Sequence, residues 1–302
     1  MIFEGIYVPL ITPFRPDLSI DFDAWGEVID WQLQNGTHGI IVGGSTGEFF
    51  SLSQDERISQ LEFAKQRLKG RVPLVAGVND LQAASCYDLA AAARDIGVVA
   101  LLVAAPPYAL PSQKELAAHC LEIDRIADLP IMLYNYPGRT GSNMAAEFLH
   151  RVAQSSNVCA IKESSGDIDR IHLLAREYPQ LQLSAGAEHQ VLEFFAWGAR
   201  SWVSVVANFF PRAAVRFYEA CVVNGDFALG RRIMSAFLPL MYCLERGGNF
   251  LQSVKYACEI MHRPGGPVRP PFLPLEEEAR REVFQIVTTA NDTLRHLLEA
   301  SS

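Results

Sequence analysis

Lysine is scarce in this 302-residue chain, which has only Lys65, Lys69, Lys114, Lys162 and Lys255. So small a set makes the position of each one informative. Cysteine is also sparse, at Cys86, Cys120, Cys159, Cys221, Cys243 and Cys258, and no two have CxxC spacing. That argues against a zinc ribbon and against a disulfide scaffold, and leaves reduced, mostly buried thiols in a cytoplasmic protein as the expectation. The seven histidines are scattered, and no HxH, HExxH or carboxylate cluster with metal spacing appears, so no metal is expected. There is no GK[ST] phosphate loop. The opening residues Met1 to Gly5 lack a basic region, and no run of 18 apolar residues follows, so neither secretion nor membrane insertion is expected. Positive charge is outweighed, giving a formal net charge of −8, which disfavours nucleic acid as a partner. What the chain does have is apolar residues, 49% of the total, enough to fill a sizeable core and to exclude disorder.

Those apolar residues come in short runs at 6–10, 39–42, 73–76, 98–104, 130–134, 158–162, 181–184 and 201–206. Most are continuous rather than alternating, as strands covered on both faces should be. Between them lie helical patterns at 21–35, 53–69, 82–96, 112–127, 143–153, 167–177, 187–197 and 211–223. Ser53 before Gln54-Asp55-Glu56 and Ser112 before Gln113-Lys114-Glu115 read as N-caps with acid in the first turn, and Asp167 reads likewise. Eight strand–helix units predict a parallel sheet closed into a (β/α)₈ TIM barrel over residues 1–224. A doubly wound open sheet is the alternative. Residues 225–302 drop the alternation and read as a C-terminal helical appendage, with helices near 226–245, 249–262 and 274–298.

In such a barrel chemistry sits at the carboxyl ends of the strands, and that is where the unusual residues fall. Lys65, Lys69 and Lys114 lie in polar helical stretches and Lys255 on an amphipathic tail helix, whereas Lys162 alone ends an apolar strand. An amine held there is desolvated, which disfavours the ammonium and supplies the free base that attacks a carbonyl. A strand-end lysine that snorkels to water or pairs with Glu163 is the other outcome position allows. Tyr134 ends the neighbouring strand, within reach of that amine and able to relay protons if its hydroxyl is activated; a core tyrosine with a satisfied hydroxyl is the alternative. The glycine-rich turn 43–47 offers backbone N–H groups, from Gly44 onward, with the hydroxyls of Ser45 and Thr46, a nest suited to a carboxylate. Arg139 could clamp a second carboxylate, or be a surface ion pair. His189 could line the mouth. The loops after strands seven and eight, with Gly186 and Phe209-Phe210, make a poor phosphate cup, so an unphosphorylated substrate is favoured.

The runs GGSTGE at 43–48, YNYPGRTG at 134–141 and IKES at 161–164, in that order, resemble the dihydrodipicolinate synthase/N-acetylneuraminate lyase family, as do VKYACE at 254–259 and PVRPP at 267–271. The resemblance implies a class I aldolase type of lyase in which Lys162 forms an imine with pyruvate or another 2-oxo acid. It implies that Tyr134 relays protons, that Ser45 and Thr46 hold the substrate carboxylate, and that Ser45 links Tyr134 to a Tyr108 supplied by a neighbouring subunit. A homodimer or homotetramer follows from that sharing. Gly186 and Val203 would line the pyruvate pocket, and no cofactor is called for, since the imine is itself the electron sink. Arg139 matches the arginine that in the synthases meets the carboxylate of aspartate semialdehyde. Ser45 is closer to the lyases, however. Phe49-Phe50 and Pro107 depart from the usual synthase pattern, and Leu81 and Ser85 replace the polar ligands of lysine-regulated members. A synthase-like condensation is therefore expected first, then cleavage or dehydration of a 2-oxo-3-deoxy sugar acid or an N-acetylneuraminate-like substrate. A non-catalytic 2-oxo acid binding protein is the alternative from another class.

Overall fold

Residues 3–299 are described by a computed structural model. Eight parallel strands pair in sequence order and close on themselves, β1 (Gly5–Pro9), β2 (Gly39–Val42), β3 (Leu74–Gly77), β4 (Ala100–Ala104), β5 (Ile131–Asn135), β6 (Val158–Glu163), β7 (Gln182–Ala185) and β8 (Ser201–Val203). The helices α1 (Phe22–Gln34), α2 (Gln54–Leu68), α3 (Ala83–Ile96), α4 (Gln113–Ala127), α5 (Pro137–Thr140), α6 (Ala146–Val152), α7 (Ile168–Glu177), α8 (Val191–Ala196) and α9 (Pro211–Tyr218) run between and after them. The open-sheet alternative is thereby excluded.

The starts of the helices follow from their caps. Ser53 and Glu56 exchange side-chain and backbone hydrogen bonds at the head of α2, as do Ser112 and Glu115 at α4. Each box satisfies two orphan N–H groups. Asp167 accepts from the Asp169 N–H at the head of α7.

Strands buried on both faces explain the continuous apolar runs. One set of side chains, including Ile41, Val75, Leu102, Met132, Ala160 and Val203, fills the lumen, while Ile40, Leu101, Leu133, Ile161 and Trp202 pack outward under the helices. Period-two alternation therefore decides which strand-end residue points inward.

Several expected boundaries shift for local reasons. The eighth strand stops at Val203 rather than 206, because Val206–Asn208 turns into a 3₁₀ helix pinned by Asn208, whose side chain donates to the Pro9 and Val205 carbonyls and accepts from the Ile11 N–H. The pattern at 187–197 begins as a 3₁₀ turn over Glu188–Gln190, and that at 211–223 is α-helical only to Tyr218 before a π-helical stretch at Glu219–Val223. The pattern at 143–153 yields the shorter α6, preceded by the separate turn α5 that proline initiates.

Three more helices follow, α10 (Phe227–Arg246), α11 (Phe250–Ile260) and α12 (Glu277–Glu299). By length and composition α10 could cross a membrane, but Ile233, Met234, Phe237, Leu240 and Met241 are buried against the rest of the fold, where α10 contacts α8, α9 and α12. Lys255 lies on the buried side of α11: it is 2% exposed and paired at 2.5 Å with Glu48 of the GGSTGE run. The tail thus reaches the loop that follows β2.

Candidate active site

On β6 the lumen receives Ala160 and the outer layer receives Ile161, so Lys162 turns inward at the carboxyl end of its strand. Registration sets Lys162 beside Tyr134 on β5 and Ser184 on β7. The lysine is 6% exposed, and its Nζ lies 3.8 Å from the centroid of the Tyr134 ring. Burial pulls its pKa down from 10.5 to about 8; Glu188 and Glu245 oppose that shift and Arg139 adds to it. The shift corresponds to about 3 kcal/mol set against the ammonium. Pairing with Glu163 does not occur. That carboxylate faces outward, where it accepts from Asn135, the Ser165 N–H and Arg170, the last at 3.2 Å. Gly186 is required by proximity: a Cβ there would stand 2.1 Å from Ser164 Oγ and 2.8 Å from Lys162 Cγ. Val203 is 1% exposed in the same lumen.

The Tyr134 phenol is buried, which pushes its pKa up to about 12; Arg139 and the hydroxyls of Ser45 and Ser164 act against that. Ser45 and Thr46 belong to a one-turn 3₁₀ helix, Ser45–Gly47, entered from an extended Gly44. No steric demand for glycine exists at position 44, whose Cβ would meet nothing nearer than 3.9 Å. Position 43 differs. Gly43 has φ +81° and would place a Cβ 2.7 Å from the Gly77 carbonyl, so the close approach of β2 to β3 needs it. Thr12 fixes the turn from behind by donating to the Gly47 carbonyl at 2.8 Å, and Gln60 donates to Thr12. Glu48 then leaves the turn in a left-handed conformation, φ 58°, held by Lys255 and by the Arg269 N–H. Ser45 and Thr46 are thus positioned by the tail as well as by β2.

Two groups near the amine carried no sequence signal of their own. Glu188, 2% exposed, accepts from the Val205 N–H at 2.7 Å and from the Trp202 indole at 3.3 Å, while Oε2 has no partner among the described residues. Burial pushes its pKa up to about 8, against the pull of those donors and of Lys162. Ser164 Oγ is buried and makes no hydrogen bond of good geometry among the described residues, although it lies against Tyr134 and Gly186. Both offer polar valences inside the mouth. His189 is half-buried beside them, its ring 5.8 Å from that of Tyr242 on α10.

The outer rim is built on α5 and the tail. Arg139 is exposed, with its guanidinium 5.3 Å from the Tyr136 ring and 4.8 Å from that of Phe250 on α11. The Tyr136 hydroxyl donates to Glu245 Oε2 at 3.2 Å. Glu245, near the end of α10, acts electrostatically on Lys162, Tyr134, Glu188 and His189. A cavity of about 320 Å³ opens between Ser45, Phe49, Phe50, Asn79, Tyr134, Tyr136 and Arg139. Tyr108 is the one expected site residue that a single chain does not bring to the others. It is 92% exposed, in a left-handed conformation with φ 70°. Among the described residues no cluster of three or more metal-ligating side chains occurs.

The chain matches the dihydrodipicolinate synthetase family over residues 2–290. The 4-hydroxy-tetrahydrodipicolinate synthase of Gluconacetobacter diazotrophicus is 32% identical over 294 residues, 95% of this chain and 97% of that one. The crystal structure of dihydrodipicolinate synthase from Aquifex aeolicus superposes with a TM-score of 0.90 at 30% identity, covering 96% of this chain and 98% of the other. A structure described as a monomeric dihydrodipicolinate synthase variant superposes with a TM-score of 0.89 at 27% identity, over 96% and 97% of the two chains.

Proposed function

This chain belongs to the dihydrodipicolinate synthetase family, a family of lyases, and from that premise we propose that it condenses pyruvate with aspartate semialdehyde through a Schiff base on Lys162, in the manner of a 4-hydroxy-tetrahydrodipicolinate synthase. The observation that carries the reading is the Lys162 amine, buried in the barrel mouth against the Tyr134 ring and shifted toward its free-base form.

The uncharged amine attacks C2 of pyruvate, and the resulting carbinolamine loses its oxygen as water to leave an iminium. The positive nitrogen acidifies C3, whose proton leaves to give an enamine, and no separate cofactor is called for. The enamine carbon bonds to the aldehyde carbon of the second substrate, and the aldehyde oxygen takes a proton to become a hydroxyl. The amine of that substrate then attacks C2, displaces Lys162 and closes the ring. Overall, one water is lost and the enzyme returns unchanged. Each proton transfer needs a relay at the imine. The Tyr134 hydroxyl, between Ser45 and Ser164, is suited to that role. Ser45, Thr46 and the turn N–H groups that begin at Gly44 are suited to the pyruvate carboxylate, with Gly186 and Val203 closing the far wall.

Tyr108 supports a shared site. Its ring projects into solvent in a strained backbone conformation, and among the described residues nothing in its own chain satisfies it. In a homodimer or homotetramer it would reach the Ser45 of a neighbour. A cytoplasmic setting belongs to the same reading, supported by six free thiols.

Incubation with pyruvate and borohydride, followed by peptide mass spectrometry, tests the chemistry directly. A reduced adduct on Lys162 is expected. An unlabelled Lys162, or a label elsewhere, would sink the proposal. A coupled assay with aspartate semialdehyde, run beside a pyruvate-release screen over 2-oxo-3-deoxy sugar acids, separates condensation from cleavage.

A further inference from the structure

The rim of the mouth carries two opposite charges that meet at one phenol. Tyr136 donates its hydroxyl to Glu245 at 3.2 Å, and the same hydroxyl interacts with Arg139, whose guanidinium also lies against the Tyr136 ring. Arg139 and Glu245 thus both lie against Tyr136, one beside its ring and the other on its hydroxyl, with no ion pair between the two among the described residues. No lysine or arginine among the described residues forms an ion pair with Glu245, and Tyr136 occupies only one of its oxygens. The carboxylate is half-buried at the rim. It connects to the strand ends through Tyr136, whose ring lies 5.9 Å from that of Tyr134, the ring that in turn lies 3.8 Å from the Lys162 amine.

A ligand that meets both rim groups must carry a carboxylate and a cation on neighbouring atoms, with its reactive end toward Lys162. We propose that Glu245 is a specificity-determining residue that binds the α-ammonium of the second substrate while Arg139 binds its carboxylate, so that the site selects α-amino acid aldehydes over aldehydes without the amine. This rests on the condensation reading above. In that reaction the ammonium gives up a proton, which a carboxylate beside it can accept, and the freed amine becomes the ring nitrogen, so a group that aims it at C2 places it for ring closure as well as for binding. The closest opposing possibility is a neutral polyhydroxylated chain, to which Glu245 would offer only an acceptor.

L-Homoserine and 4-hydroxybutyrate separate these cases. Both keep the carboxylate and carry an alcohol where the aldehyde would be, so neither can condense, and they differ only in the ammonium. Calorimetry on the pyruvate-loaded protein is expected to show homoserine bound about tenfold more tightly or better, the range of a charge-assisted hydrogen bond. Glu245→Gln should abolish that preference, and Glu245→Asp should keep part of it. Equal binding of the two ligands by the wild-type protein, tighter binding of 4-hydroxybutyrate, or a preference that survives intact in E245Q would each overturn the assignment. Should E245Q fail to fold, the wild-type pair and E245D still decide the matter. Borohydride trapping with pyruvate on the same preparation keeps the two failures apart. An unlabelled Lys162 refutes the imine reading, whereas a labelled protein without a homoserine preference refutes only the role of Glu245.

Discussion

Replacing Lys255 with methionine tests how far the active-site turn depends on the tail. Glu48 follows that turn and is fully buried; Lys255 is its cation, at 2.5 Å, and the Arg269 N–H is its one other donor. Methionine keeps the volume of the lysine stem but removes the carboxylate's direct ion pair, leaving it the Arg269 N–H and the more distant Arg269 charge. Breaking one side of a buried pair typically costs about 3–5 kcal/mol. Denaturant titrations of wild type and K255M at pH 7 would measure the gap, expected in that range, and the double variant E48Q/K255M should recover most of the loss. A gap smaller than about 1 kcal/mol, or a double variant no more stable than K255M, would refute the argument that the buried Glu48 depends on its lysine. Because Ser45 and Thr46 lie just before Glu48, K255M should also raise the KM for pyruvate.

Other expectations follow from the geometry of the mouth. With the Lys162 pKa near 8, kcat/KM for pyruvate should climb about tenfold per pH unit below that value and level off above it, the free amine being the reactive form; a flat profile between pH 6 and 8 would contradict a buried ammonium. Tyr134→Phe removes the proton relay but not the nucleophile, so steady-state turnover should fall by about 10²–10⁴ while borohydride trapping on Lys162 persists. Gly186→Ala drives a methyl group into Ser164 Oγ and Lys162 Cγ, and should abolish pyruvate labelling even where circular dichroism shows an intact fold.

The barrel was legible because its signal is redundant. Eight apolar runs and two capping boxes all require the same alternation, and an error of two residues at any boundary changes nothing. The inner half of the site was legible for a related reason. Strand alternation and parallel registration are short-range rules, so Lys162 and Tyr134 fall side by side once β5 and β6 are placed. The outer half obeys no such rule. Glu245 is an acid near the end of a long helix, in the sequence Leu244-Glu245-Arg246, and nothing local distinguishes it from a solvated one. Its role appears only when α10 is laid across the strand ends. The partner of Lys255 was hidden for the same reason. Helical spacing on α11 showed an amphipathic face, but not that the face is turned toward Glu48, 207 positions earlier in the chain.

That division between inner and outer halves has a chemical consequence. Imine formation asks only for a desolvated amine, a nearby phenol and a nest for one carboxylate, and the strand ends offer all three. Choosing the second reactant asks for charges several ångströms farther out, beyond the reach of any inward-facing strand residue. In the proposed reading that distance is spanned by α5, α10 and α11, which bring Arg139, Glu245 and Phe250 to the rim. Glu245 cannot be changed without touching the inner half, however, because its charge raises the pKa of Lys162 and of Glu188 alike. Removing it should therefore ease deprotonation of the nucleophile while weakening the hold on an ammonium ligand. Opposite movements of pyruvate trapping at pH 7, upward, and of homoserine affinity, downward, are what a rim carboxylate serving both halves requires. Loss of both together would instead mean that Glu245 does no more than hold α10 in place.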